Sequence, residues 1–194
     1  MHDDTGDPVQ RADLSTRYPG FTLFGDGPRR GFSGAMRHAW STLATRSSCR
    51  WVFHVEQDFV FERPVDLVAM ASVLEHDPTL VQMALRRQPW APPEHAAGGV
   101  VEMHPEAYEE RSHNGHTYLR HRLFFTTNPS LFHRSLCTKP WPKGERSEGR
   151  FTHRLLVAGH LDIEGDKIGF GYWGGHACPP MVEHIGINRL GTGY

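Results

Sequence analysis

Residues 51–59 read Trp51-Val52-Phe53-His54-Val55-Glu56-Gln57-Asp58-Phe59, an apolar run that ends in two acids. β-branched and aromatic residues without a helical period describe a buried strand over 51–55, and Glu56-Gln57-Asp58 stands where that strand ends. Residues two apart on an extended chain share a face. Both carboxylates are therefore expected to reach one point at the carboxyl end of a sheet, where α/β proteins bind ligands. Two hard oxygen donors suit Mg²⁺ or Mn²⁺, and through either ion a diphosphate. The same spacing also describes two solvated acids that open a loop.

Working outward toward the amino terminus, Phe21–Phe24 reads as a short strand ended by Gly25-Asp26-Gly27-Pro28. Residues 1–20 are polar and turn-rich. Gly31-Phe32-Ser33-Gly34 leads into a helix over 35–44, with Met36, Ala39, Trp40 and Leu43 on one face and Ser33 placed to cap it. Gly31 and Gly34 let backbone approach a ligand closely and offer N–H groups to an anion, although an ordinary tight start to a helix has the same composition.

Toward the carboxyl terminus, a helix is expected over 64–76, with Pro64 in its first turn and Pro78 beyond its end, then a strand over 80–85. Strand and helix alternate, which is the pattern of an α/β layer architecture. Residues 88–122 hold Pro89, Pro92, Pro93, Pro105, Gly98 and Gly99 among many charges, and are expected to form a loop excursion. A strand over 123–127, a helix over 147–158 and strands over 168–173 and 181–185 follow. Glu148, at the head of its helix, is either a general base or an acid that complements the helix dipole. His184 either completes a carboxylate–imidazole site for Mn²⁺ or is a hydrogen-bonded structural residue.

The chain has 194 residues, the length of one domain, with a formal net charge of -1. That balance excludes a global electrostatic footprint for nucleic acid or an anionic membrane. No apolar run is long enough to span a bilayer, and Met1 to Gln10 has neither a basic nor an apolar signal-peptide region. Cys49, Cys137 and Cys178 are sparse and form no C-x-x-C pair, which fits a reducing cytoplasm. The 14 histidines show no H-x-x-x-H or H-E-x-x-H spacing, so zinc is disfavoured.

Taken in chain order, these pieces resemble the family 2 glycosyltransferases. His2-Asp3-Asp4-Thr5-Gly6-Asp7 is similar to the acidic turn near the start of that family, and Arg30-Gly31-Phe32-Ser33-Gly34-Ala35 to its helix start. Val52–Phe59 resembles the strand that ends in its D-x-D metal motif. Thr127-Asn128-Pro129-Ser130-Leu131 resembles the acceptor-side segment, Ser147-Glu148 the base motif, and Glu183-His184-Ile185-Gly186 the late metal-binding histidine. Three features depart from the family pattern: E-x-D replaces D-x-D, Gly149 stands where a second acid is expected, and the Asp-Asp turn arrives at residue 3.

The resemblance implies a GT-A-like Rossmann-type mixed sheet flanked by helices. Residues 1–86 would form a nucleotide-sugar half and 123–194 an acceptor half. Asp3, Asp4, Gly31 and Gly34 would bind the donor. Glu56, Asp58 and His184 would hold Mn²⁺ or Mg²⁺, Glu148 would be the base, and Asn128 and Trp173 would face the acceptor. The implied reaction moves a sugar from a nucleotide sugar to a hydroxyl of a glycan, protein, lipid or modified base. The family also sets a strand–helix–strand unit ahead of the Asp-Asp turn, so roughly 30 residues are expected upstream of Met1. Two alternatives use the same residues: a GT-A-like module that binds nucleotide or glycan without turnover, and a metal-dependent hydrolase.

Overall fold

The fully buried strand Leu80-Val81-Gln82-Met83-Ala84 is the centre of the protein. A strand covered on both faces needs apolar residues in succession rather than alternation, and the sequence supplies them. The computed structural model describes residues 1–25 and 27–186. Asp26, within the turn expected at 25–28, and the end of the acceptor half at 187–194 lie outside the described residues.

In chain order the elements are helices α1 (Pro8–Arg17) and α2 (Gly31–Arg46), strands β1 (Trp51–His54) and β2 (Phe59–Phe61), helix α3 (Leu67–His76) and the central strand β3 (Leu80–Ala84). Short helices α4 (Pro92–Ala97) and α5 (Val100–Met103) precede strands β4 (Glu109–His113), β5 (His116–His121) and β6 (Ser130–His133). Helix α6 (Ser147–Ala158) and strands β7 (Gly169–Trp173) and β8 (Val182–His184) follow. Six strands form one mixed sheet in the order β1-β6-β3-β7-β5-β4, and β2 and β8 pair as a small second sheet. β3 and β7 are parallel, whereas β6 runs antiparallel to both β1 and β3. The carboxyl ends of β1, β3 and β7 therefore share one edge of the sheet, together with the start of β6.

Helices cover both faces. On one, Trp40 of α2 packs against Phe125, Phe132, Trp141 and Phe151, with ring centroids 5.1 to 6.3 Å apart. On the other, Met70, Val73 and Leu74 of α3 meet Leu80, Met83 and Leu131. Adjacent residues Leu131 and Phe132 join opposite clusters, as the two-residue period of a strand requires. Among the described residues, no helix is long and apolar enough to cross a membrane.

Several elements differ from the sequence expectation. Residues 1–20 contain α1, capped by Asp7 Oδ1 accepting from the Val9 N–H at 2.8 Å. Phe21–Phe24 is no strand, and Phe24 makes only an isolated bridge with His2. Ser33 lies inside α2, where its hydroxyl donates to Pro142 O at 2.8 Å instead of capping the helix. α3 starts at Leu67 under the Asp66 cap rather than at Pro64. β1 is an edge strand and only half-buried. The 88–122 segment is not an excursion throughout, because β4 and β5 in it extend the main sheet.

Residues 123–127 also fail to form a strand, because side chains satisfy their backbone. The Phe125 N–H donates to Thr152 Oγ1 at 2.9 Å, the Thr126 N–H to Gln82 Oε1 at 3.0 Å, and the Thr127 N–H to Glu148 Oε1 at 2.6 Å. Buried backbone groups need partners of some kind, and here none of these three is a neighbouring strand.

His121 is buried in an aromatic shell of Tyr108, Phe124, Phe170 and Tyr172. Burial, with the Arg120 charge beside it, pushes its pKa down to about 3 from 6.5. The folded protein thus holds His121 neutral at a pH where the unfolded chain takes up a proton. Stability is full above the unfolded value and is lost as pH falls from 6.5 towards the folded value of about 3. Urea unfolding at about pH 5 should show about 2 kcal/mol less stability than at neutrality from this residue alone. His121→Leu should flatten that dependence, and an unaltered slope would refute the assignment.

Candidate functional site

The site is built where the small sheet hangs on the carboxyl edge of the large one. Beyond β3, Arg86 O accepts the Met181 N–H at 2.8 Å, and the Gln88 N–H donates to Val182 O at 3.3 Å. β8 is thereby held between the 86–88 segment and β2, with Phe59 paired to His184. Directly paired residues of antiparallel strands put their side chains on one face. The Phe59 and His184 rings accordingly stack, with centroids 4.6 Å apart.

The other face of the His184 ring is covered by Trp90, at 4.3 Å and an interplanar angle of 20°. Trp90 is itself anchored. Its N–H donates to Glu94 Oε2 at 2.8 Å, and Arg87 grips both oxygens of that carboxylate at 2.7 and 3.0 Å. Burial opposes ionisation of Glu94, but the Arg87 guanidinium and the Trp90 and Ala91 N–H groups outweigh it and hold its pKa below the usual carboxylate range. The backbone of His184 is fixed by the Gln88 side-chain amide. Gln88 Oε1 accepts the His184 N–H at 2.9 Å, and Nε2 donates to His184 O at 3.0 Å.

Asp58 Oδ2 lies 3.2 Å from His184 Nε2. Asp58 Oδ1 and His184 Nε2 are both buried without a hydrogen-bond partner among the described residues. A Cβ at Gly186 would run into both Asp58 Oδ2 and His184 Nε2, so bare backbone borders the pair at that point. A carboxylate and an imidazole, dry, adjacent and unsatisfied, are a donor pair suited to Mn²⁺.

Glu56 does not join them. β1 ends at His54, so Glu56 and Asp58 lie on a turn, where the rule that strand residues two apart share a face does not apply. Glu56 Oε1 instead faces His54 Nε2 at 3.4 Å. Among the described residues, no three metal-binding side chains converge. The expected trio is a pair, Asp58 with His184, and Glu56 is bonded elsewhere.

Glu148 enters from α6. Burial raises its pKa above the ordinary carboxylate range, and the neighbouring Glu56 charge adds to that, against the opposing Thr127 N–H bond. That bond ties Glu148 to the residue before Asn128, which is buried at the head of β6. Trp173 ends β7 at the same sheet edge, half-buried and stacked on His116 at 5.4 Å. The edge thus gathers Asp58, His184, Glu56, Glu148, Asn128 and Trp173.

The residues expected at the donor form a separate constellation. Asp3 is buried, with Oδ1 accepting from the Thr5 N–H and hydroxyl at 3.0 and 2.8 Å and Oδ2 facing Arg11 at 3.5 Å. Its carboxylate is used within its own turn, which corrects its placement beside a ligand. Asp4 Oδ1 accepts the Arg30 N–H at 2.8 Å and so ties that turn to the head of α2. Gly31 opens α2 in the left-handed region at φ 67°, a conformation that favours glycine. Gly34 lies within the helix rather than on a loop.

Gln88, Trp90, Phe59, His54 and Gly186 are parts of this arrangement that sequence reasoning missed. None carries a spacing signal, because their partners are remote in the chain. No protein-family model and no curated protein sequence matches this chain.

Proposed function

We propose that the chain is a metal-dependent glycosyltransferase of GT-A-like fold that moves a sugar from a nucleotide-sugar donor to an acceptor hydroxyl. The observation that carries this reading is the pair of buried, unpartnered atoms Asp58 Oδ1 and His184 Nε2 at the carboxyl edge of the sheet. Asp58 and His184 would hold Mn²⁺ or Mg²⁺, and Glu56 would have to leave His54 to add a third ligand. Bound there, the ion supplies Lewis acidity for the charge that builds on a leaving diphosphate.

The remaining work falls to the chain's own side chains. Phe59, Trp90 and Gln88 fix the plane and backbone of His184, so its nitrogen is aimed before any ligand arrives. Glu148 takes the proton from the acceptor hydroxyl. Its raised pKa makes the carboxylate a stronger base than an exposed glutamate. Asn128 and Trp173, at the same edge, would border the acceptor. Asp4 and Gly31 at the head of α2 remain the donor-side candidates, with Asp3 as a support of their turn. Cys49, Cys137 and Cys178 are unbridged, in keeping with a reducing compartment.

The test is a screen of nucleotide sugars by thermal unfolding, with and without Mn²⁺. A true donor at about 100 times its Kd adds about 2.7 kcal/mol to the native state, and its Tm shift should require the metal. A screen in which no nucleotide sugar shifts the transition, with metal or without, would overturn the reading.

A further inference from the structure

The outer face of α6 forms a row of cations. Ser147, Phe151, Thr152 and Leu155 are buried, whereas Arg146, Arg150, His153 and Arg154 are exposed. Arg146, Arg150 and Arg154 follow one another at four-residue intervals, about 6 Å per step along a helix. With Gly149 and His153 they line an open groove of about 340 Å³. At Gly149 nothing lies within 4 Å of where a Cβ would be, so the groove floor is bare helix backbone. Lys143 stands exposed just ahead of the helix.

These cations lack the partners that others on the surface have. Arg17, Arg50, Arg111 and Lys167 are each paired with a carboxylate. Among the described residues, Lys143, Arg146, Arg150 and Arg154 have none. The Arg150 and Arg154 guanidinium groups each donate one N–H to a backbone carbonyl, of Lys143 at 2.9 Å and of Pro140 at 3.2 Å. Those bonds steady the forks and leave their charge uncompensated. Glu148, the acid of the first turn, points inward to Thr127.

We infer that this groove binds the phosphodiester backbone of a single-stranded nucleic acid. Three fixed guanidinium groups in a row match phosphates along an extended strand, and arginine suits phosphate through its planar fork. Exposed acids at Asp162, Glu164 and Asp166 follow α6, on a turn whose Gly165 packs against the backbone of Leu156 and Val157. A flat anionic bilayer laid on the row would also meet those acids, whereas a strand can follow the row alone. Among the described residues, no aromatic side chain is exposed between 139 and 167, so contact is to phosphate rather than to stacked bases, and binding is independent of sequence. The net charge of -1 conceals this patch because acids elsewhere balance it. The inference stands apart from the transfer reading and does not depend on it.

The experiment is fluorescence anisotropy of the full chain with a labelled oligothymidylate of about 20 nucleotides, titrated across salt. Four cations on a single strand should give a log–log salt slope of about −2.8, and Arg150→Gln with Arg154→Gln should make it shallower by about 1.4. Affinity at low salt should fall about tenfold or more in that variant, while Arg150→Lys with Arg154→Lys keeps most of it. Glutamine still donates to the two carbonyls, and an unchanged Tm verifies the fold. A strand held equally well by the glutamine variant overturns the inference. So does capture by phosphatidylserine vesicles without binding of the strand, or no binding of the strand at all.

Discussion

Asp58→Ala loses metal-dependent transfer by about a hundredfold or more and still unfolds as one cooperative unit. Asp58 Oδ1 makes no hydrogen bond among the described residues, so its removal leaves no donor stranded and costs the fold little. What disappears is one of two adjacent ligand atoms. Losing a comparable charge-stabilising group costs about 3 kcal/mol in the transition state. The measurement pairs nucleoside diphosphate release with a Mn²⁺ titration followed by thermal unfolding. His184→Ala should follow the same pattern less severely. Wild-type turnover in Asp58→Ala would remove the metal from the proposal.

Glu148→Gln should lower the transfer rate by about 10² to 10⁴ with donor affinity unchanged, because a base acts only in the chemical step. Glutamine keeps an oxygen for the Thr127 N–H, so the 125–127 segment stays in place. The pH profile separates base from scaffold. A base works when deprotonated, and burial raises the Glu148 pKa, so the wild-type rate should climb with pH through a limb above the ordinary carboxylate range. The variant should lack that limb. The stability sign is the reverse: a raised carboxyl pKa favours the fold at low pH, and that contribution is lost as pH rises through the folded value. Glu148→Gln should therefore be no less stable than wild type at neutral pH. Equal losses of donor affinity and rate would mark Glu148 as structural.

Legibility in the sequence followed how local each signal was. α6 and β3 announce themselves through buried apolar residues at the right period, and α3 is read to within its first turn. β4 and β5 were missed because Glu109-Glu110-Arg111-Ser112-His113 is polar and largely exposed. Their signal was the turn: Asn114 and Gly115 both have positive φ, at 49° and 78°, the Asn-Gly signature of a tight hairpin. α1 was hidden by its low apolar content, although Asp7-Pro8 is a cap followed by a good first residue. At the site, Asp58 and His184 were readable as residue types, but the place of Glu56 depended on where β1 stopped. Gln88 and Trp90 act on His184 across the chain, and no spacing rule connects residues so far apart.

The pairing of β2 with β8 has a consequence during synthesis. Asp58 sits at the start of the first of these strands and His184 at the end of the second, so the ribosome must deliver nearly everything between them before the two can meet. Contacts of such long sequence separation are slow to close, and a nascent chain exposes what it has not yet paired. Until residue 184 emerges, Asp58 has no imidazole beside it and Phe59 no strand to pair with. The two-residue cradle is therefore a late product of folding. A chain interrupted before β8 could complete the six-stranded sheet and still lack the pair.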